Sequence, residues 1–210
     1  MNQKELLPST SVDNHVDTDT GEVKTAAYRV GIPRQYRFNA STGVLNLNGE
    51  TPITKPGKDF KILPIAFRVF KDNLFDRGRK TWAEIFFINS KNQVCAVMFH
   101  GFSVENLASL ESELFYEDLQ IGEIVLTVEP QEKVSKAAGS KYYICDFSFE
   151  KADSELIKVQ EAATEKLSIY RRDTWNVDCD VEMTYNIDTA KLNKLLALPT
   201  VEVESEIVEA

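Results

Sequence analysis

The sequence predicts a mainly β fold with appended helices (α+β), and three observations carry that prediction. Between residues 60 and 150, runs rich in Phe, Val, Ile and Tyr alternate with short polar breaks, the period-two signature of strands. One amphipathic stretch interrupts these runs near 104–118 and another follows near 155–171. Turn-forming residues punctuate the connections, as at Pro56-Gly57, Gly78 and Gly139.

The elements justify themselves in order. Residues 60–70 (FKILPIAFRVF) form the first strand and 71–80 (KDNLFDRGRK) a basic loop. A hairpin through Ser90-Lys91-Asn92 joins strands 81–89 and 93–101. Ser103 is placed to cap a helix over 104–118, whose stripe is Val104, Leu107, Leu110, Leu114 and Phe115. Strands 121–130 and 141–150 complete the unit. Three strands, a helix and two strands is the order of a five-stranded OB-type Greek-key barrel.

The rest of the chain decorates this barrel. Residues 1–23 are polar and acidic and predict a disordered arm. Residues 26–48 predict two or three extra N-terminal strands that join the barrel or cover its edge, and they carry Arg29, Arg34 and Arg37. Asp153-Ser154 caps a helix over 155–171, with Leu156, Val159, Ala163, Leu167 and Tyr170 on one side. An extended stretch at 174–188 precedes a short helix from Thr189 to Leu198. The resulting division is arm 1–23, barrel with extra strands 24–150, helical extension 151–198, and acidic disordered tail 199–210. Dimerisation through the C-terminal helices and packing on their own barrel both remain open.

Alternation assigns faces within the strands. In the first strand, Leu63, Ile65, Phe67 and Val69 oppose Ile62, Ala66, Arg68 and Phe70, and the Arg68 set is expected outside. Ala83, Ile85 and Phe87 oppose Trp82, Glu84, Phe86 and Ile88. Tyr143, Cys145, Phe147 and Phe149 oppose Tyr142, Ile144, Asp146 and Ser148. The outer faces thus mix aromatic and polar residues.

Charge narrows the function classes once it is located. The net value is −9. Yet residues 24–80 hold 12 Lys and Arg against four acids, while the two ends carry −4 each. No apolar run approaches the length of a membrane span, and the N-terminus lacks a signal pattern, so a cytosolic protein is expected. Cys95, Cys145 and Cys179 suggest no disulfide framework; the first two fall in strands as small buried hydrophobes.

The basic loop is the strongest chemical signal. Lys71, Arg77, Arg79 and Lys80 flank Phe75, and Gly78 allows a close backbone bend. The second loop expected on the same side, 130–140, offers Lys133 and Lys136, with Lys141 adjoining. Cations neutralise phosphates, and aromatic rings stack bases of any sequence. With Arg68, Phe70, Trp82, Phe86 and Tyr142 on the outer face, this is a candidate single-stranded nucleic-acid surface. The competing reading makes 71–80 a solvated hairpin loop and packs Trp82 and Phe86 beneath 26–48.

Enzyme chemistry finds little purchase. His15 and His100 are far apart, and Asp178-Cys179-Asp180 lacks a histidine. No phosphate-cradling glycine loop or nucleophile elbow occurs. No catalytic residue, metal or cofactor is assigned.

In its order of elements over 60–149, its basic loop 71–80 and its acidic tail 199–210, the chain resembles single-stranded DNA-binding proteins of bacteriophages and related mobile elements. Bacterial members of the wider group close their acidic tip with an aromatic residue, whereas this chain ends Ile207-Val208-Glu209-Ala210. The resemblance implies sequence-tolerant coating of single-stranded DNA during replication, recombination or repair. It also implies a tail that docks replication or recombination proteins, and a bacterial host cytoplasm if the chain is phage-encoded. The alternative is a non-catalytic structural protein, such as a virion or assembly component, whose aromatic face packs on a protein partner.

Overall fold

Aromatic and β-branched residues concentrate in 60–72, 80–88 and 94–100, and these segments become the centre of the molecule. The computed structural model describes residues 6–8, 17, 19–29, 31–75, 78–136, 139–169 and 179–186. In chain order the strands are β1 (Arg34–Asn39), β2 (Val44–Leu47), β3 (Thr51–Pro52), β4 (Phe60–Ile62), β5 (Pro64–Asp72), β6 (Lys80–Ile88) and β7 (Val94–His100). Helix α1 (Phe102–Tyr116) and a 3₁₀ turn at Ile121–Glu123 lead to β8 (Ile124–Val134) and β9 (Lys141–Lys151). Helix α2 (Ser154–Thr164) and β10 (Asp180–Asn186) follow. The protein is mainly β with two helices, an α+β fold. No helix among the described residues is long and apolar enough to cross a membrane.

The strands form a seven-stranded mixed sheet, β10-β5-β6-β7-β1-β2-β3, and a three-stranded sheet, β4-β8-β9. β4 and β5 are one run of chain broken at Leu63. Phe60 to Ile62 pair with β8, and Pro64 to Asp72 pair with β6. A register shift between Pro64 and Ala66 bends the strand, and proline tolerates that place because it has no N–H to leave unpaired. The buried Gln160 of α2 donates Nε2–H to the Leu63 carbonyl at 3.0 Å, pairing the acceptor freed by the break.

The expected closed five-stranded barrel does not form. Among the described residues no ladder joins β7 to β9. The outer edge of β7 pairs in parallel with β1 instead, from Arg34 opposite Cys95 to Arg37 opposite Met98. A strand edge has one row of donors and acceptors, so the N-terminal hairpin takes the place of the closing strand. The Tyr143 N–H donates to the Ala40 carbonyl at 2.7 Å, tying that hairpin to β9. The stretch 26–48 therefore supplies strands, as its pattern predicts.

The main core lies between the two sheets and α1. Phe67, Ile85, Phe87, Val97 and Phe99 face Leu126, Val128 and Cys145, with Leu107, Leu110 and Leu114 from the helix. The alternation predicted for β6 and β9 holds. In β5 it shifts: Ile62 joins the main core and Ile65 goes to the opposite face with Ala66, because the irregularity at 64–66 moves the pattern by one residue. Leu6, in the stretch expected to be a disordered arm, is also fully buried in this core.

Helix α1 departs from expectation at both ends. Its N-cap is Gly101 at φ 64°, and Ser103 caps nothing. Ser103 Oγ instead accepts the Cys145 N–H at 2.9 Å, while Asn106 Nδ2 donates to the Cys145 carbonyl at 3.0 Å and to Asp146 Oδ1 at 2.7 Å. These polar side chains clamp the helix to β9. Phe115 leaves the predicted stripe and is 78% exposed. Helix α2 is shorter than the predicted 155–171, but Asp153 caps it as expected by accepting the Glu155 N–H at 2.8 Å.

A second apolar cluster covers one half of the large sheet's outer face. Ile65, Ala66, Phe86, Ile88, Val94 and Ala96 pack under Ala26, Ala163 and Ile169. Backbone bonds hold this cover, from the Ala26 N–H to the Ala163 carbonyl (3.0 Å) and from the Ala27 N–H to the Asn92 carbonyl (2.8 Å). The extended stretch near 174–188 contributes β10, antiparallel to β5. The predicted helix at 189–198, the tail 199–210 and most of the arm lie outside the described residues.

Two outcomes follow from this packing. Gly43 has φ +68° and a Cβ there would meet the Tyr143 ring at 2.7 Å. Gly43→Ala is expected to lose about 2 kcal/mol in urea unfolding, falling to about 1 kcal/mol in a Tyr143→Ala background, where only the backbone cost remains. Cys95 and Cys145 are free and buried. Burial pushes the Cys95 thiol from 9.0 up to about 12 and raises Cys145, while Tyr36 and Tyr185 are raised for the same first reason, Tyr185 to about 12. The unfolded chain loses these protons first, so stability is full below about pH 9 and declines as pH rises toward 12. Unfolding midpoints measured from pH 8 to 11 check the sign.

Candidate nucleic-acid interface

The open half of the large sheet's outer face collects most of the polar and aromatic residues that the sequence marks. Along β5 and β6, Arg68 opposes Glu84 and Phe70 opposes Trp82. Alternation brings Arg68, Phe70, Glu84 and Phe86 to this side, where they line a concavity of about 310 Å³ with Gln35, Arg37, Phe75 and Met98. A second concavity, about 370 Å³, is lined by Arg37, Asn39, Ala40, Asn46, Phe75, Trp82, Met98 and His100. Arg37, Phe75 and Met98 belong to both, so they form the ridge between them.

Local geometry explains that ridge. β5 runs on to Asp72 and β6 begins at Lys80, so the connecting loop is tighter than 71–80. Gly78 turns it at φ 74° and Phe75 adopts φ 58°, a left-handed conformation uncommon for a bulky residue. Phe75 stays 50% exposed. Its ring meets Trp82 edge-on at 5.8 Å, and the Arg37 guanidinium lies over it at 4.6 Å. Trp82 in turn meets His100 edge-on at 5.1 Å and donates Nε1–H to the Asp72 carbonyl at 3.1 Å. The indole is thereby fixed from below.

Several predicted contacts are corrected by burial. Phe70, Trp82 and Phe86 are 4%, 3% and 2% exposed. None offers a free ring face for stacking. Phe86 lies beneath the cover made by residues near Ala26, α2 and Ile169, close to the packing alternative the sequence allowed. Trp82 lies beneath Phe75 rather than beneath the N-terminal strands.

Ion pairing constrains the cations. Arg68 lies on the outer face as expected, but its Nη2 and Nε hold Glu84 Oε2 at 2.6 and 2.7 Å, and its guanidinium covers the Phe70 ring. Gln35 Nε2 reaches the other Glu84 oxygen at 3.4 Å. Lys71 pairs with Glu182 at 2.6 Å and Lys141 with Glu132 at 2.7 Å. Lys141, together with the Tyr143 hydroxyl, holds the Glu132 carboxyl below its usual range. Arg79, Lys80, Lys133 and Lys136 are exposed, and Tyr142 is half-buried opposite Lys133. Arg77 lies outside the described residues.

The first basic loop and β9 nevertheless approach one place. Phe75 brings the first loop to the 370 Å³ concavity, and the Tyr143-to-Ala40 bond sets the start of β9 beside its rim. Sequence reasoning missed Arg37 as a site residue, as well as Asn39, Asn46 and Met98. The alternation of β1, RQYRFN, does put Gln35 and Arg37 opposite the core residue Tyr36, a usable signal once β1 is known to lie beside β7. No family model matches the chain, and comparison with curated proteins and with solved structures gives no match.

The Arg68–Glu84 pair is mostly buried, so removing one partner strands the other. Arg68→Met is expected to destabilise by about 3–5 kcal/mol, and Arg68→Met with Glu84→Leu to recover most of that loss. Chemical denaturation of both variants is the check; equal losses would mean that the pair adds nothing.

Proposed function

We propose that the chain is a non-catalytic single-stranded DNA-binding protein built on an OB-type unit, serving replication, recombination or repair. The observation that carries this reading is Phe75: a half-exposed ring in a left-handed backbone, backed by Trp82, covered by Arg37 and standing between two concavities. Residues held in a costly conformation at a surface are a recurrent mark of binding sites. An arginine stacked on an aromatic ring offers a base both a π-face and a nearby phosphate partner. Arg79, Lys80, Lys133 and Lys136 extend positive charge along both basic loops.

The OB-type reading draws support from the order of strands and helix, and from the first strand being shared by two sheets. The N-terminal hairpin then occupies the seam at which such a barrel would close. Binding is expected to engage a few nucleotides around the ridge rather than a broad aromatic face, since Phe70, Trp82 and Phe86 are covered. The acidic tail 199–210 remains the proposed contact for replication or recombination proteins.

One observation favours a second reading. Helix α1 exposes Phe102, Phe115 and Tyr116, and the last two rings meet edge-on at 5.6 Å. A structural or assembly protein would use such a surface on a protein partner.

A dT oligonucleotide titration separates the two readings. In a Trp175→Phe background, Trp82 fluorescence is expected to change saturably, with affinity falling as salt rises. Phe75→Ala is expected to weaken binding by about 1–3 kcal/mol, roughly ten- to hundredfold. Arg37→Gln is expected to lower the salt slope by about 0.7, one single-strand phosphate contact. No spectral change and no retardation at low salt would sink the nucleic-acid reading in favour of the assembly protein.

A further inference from the structure

The two concavities beside the ridge differ in charge. The one of about 310 Å³ holds two buried carboxylates, Glu84 and Asp72, beside Arg68. None of the described residues lining the one of about 370 Å³ is acidic, and Arg37 is the cation at its edge. Like charges brought together are costly, so a phosphate strand is tolerated at the second recess and opposed at the first.

Strand register decides what lines the second recess. Arg37 opposes Asn46 on β2 and Met98 on β7. Two residues further along the same face come Asn39 and His100, and His100 opposes Trp82. An imidazole and an indole therefore lie beside Met98 and Phe75 of the ridge, with two amides on the β1–β2 side. Backbone partners fix both amides. Asn46 is 7% exposed, and its Nδ2 donates to the Val44 carbonyl at 3.3 Å. A carbonyl only accepts, so the other branch of this amide is oxygen. Among the described residues that oxygen accepts no hydrogen bond, and it is left for whatever enters the recess. Asn39 is held the opposite way: its Oδ1 accepts the Ser41 N–H at 2.9 Å, so nitrogen is the group it offers. Arg37 opposes Asn46 and Asn39 opposes Val44, which makes the two asparagines diagonal neighbours, about 7–8 Å apart. An acceptor and a donor so placed bracket the edge of a planar heterocycle.

Resting on the nucleic-acid reading above, we propose that this recess receives one unpaired nucleobase and reads its pairing edge. Asn46 accepts from a ring or amino N–H, and Asn39 donates to a ring nitrogen or carbonyl. Every base carries a donor beside an acceptor on that edge, so the contact tolerates any sequence. In a duplex the complementary base already occupies the same edge. The recess therefore selects single strands over duplex, a discrimination that positive charge along the loops does not supply, because phosphates are common to both.

The test compares two strands on the native full-length protein. One is a dT oligonucleotide; the other has the same length but carries difluorotoluene, a thymine isostere that stacks without thymine's hydrogen-bonding groups. The isostere strand is expected to bind about tenfold more weakly, with the same salt slope. Asn46→Ala, and separately the exposed-site variant Asn39→Ala, are expected to weaken dT binding by a similar factor and to leave isostere binding unchanged. A loss of folding would weaken both strands alike. The preference for the dT strand over its dT·dA duplex is expected to shrink in Asn46→Ala, and an unchanged preference would overturn the selection. Equal affinity of the native protein for the two strands would overturn the edge reading and leave strand binding standing. Retention of neither strand at low salt would overturn both.

Discussion

The break at Leu63 is the constraint on which the architecture rests. One run of chain, 60–72, gives its first residues to the three-stranded sheet and its last to the seven-stranded sheet. Because the two sheets share it, their inner faces are held across a common core without a closed ladder. The cost of the break is a backbone acceptor removed from both sheets, and Gln160 meets it from α2. Helix α2 thus supports the bend as well as covering the sheet's outer face. Unpaired buried carbonyls cost about 1–3 kcal/mol, so this single bond matters more than its number suggests.

The same bend divides the outer face of the large sheet. Near it, Ile65, Ala66, Phe86 and Ile88 are covered and structural. Farther along β5 and β6, the Arg68–Glu84 pair separates that covered half from the aromatic ridge at Phe75. Aromatic residues alternating with charges along one strand therefore serve two purposes. Those near the bend pack, and those near the loop support an exposed ring. Phe70, Trp82 and Phe86 are all covered, and position along the strand decides what covers each.

The succession of strands and helix along 60–150, the inner faces of β6 and β9 and the Asp153 cap are legible in the sequence, because each is governed by local periodicity or local hydrogen bonding. Ser103 shows where this logic fails. It has the chemistry of a cap, but the β9 backbone competes for its hydroxyl and wins. The shift at 64–66 is similarly invisible, since Pro64 permits a bulge without requiring one. Arg37 is one of three arginines in the N-terminal strands; its value depends on β1 pairing with β7, a contact about sixty residues away in sequence.

By itself, then, the sequence determined the α+β class, the strands that face a core and the chemistry of the two basic loops. Those properties depend on neighbours a few residues apart. Tertiary structure alone decided that β1 takes the edge of β7, that Phe70, Trp82 and Phe86 are covered, and that Arg68, Lys71 and Lys141 meet carboxylates. Burial and ion pairing are set by what packs from a distance, and a periodic pattern names the face of a strand without naming what lies on it.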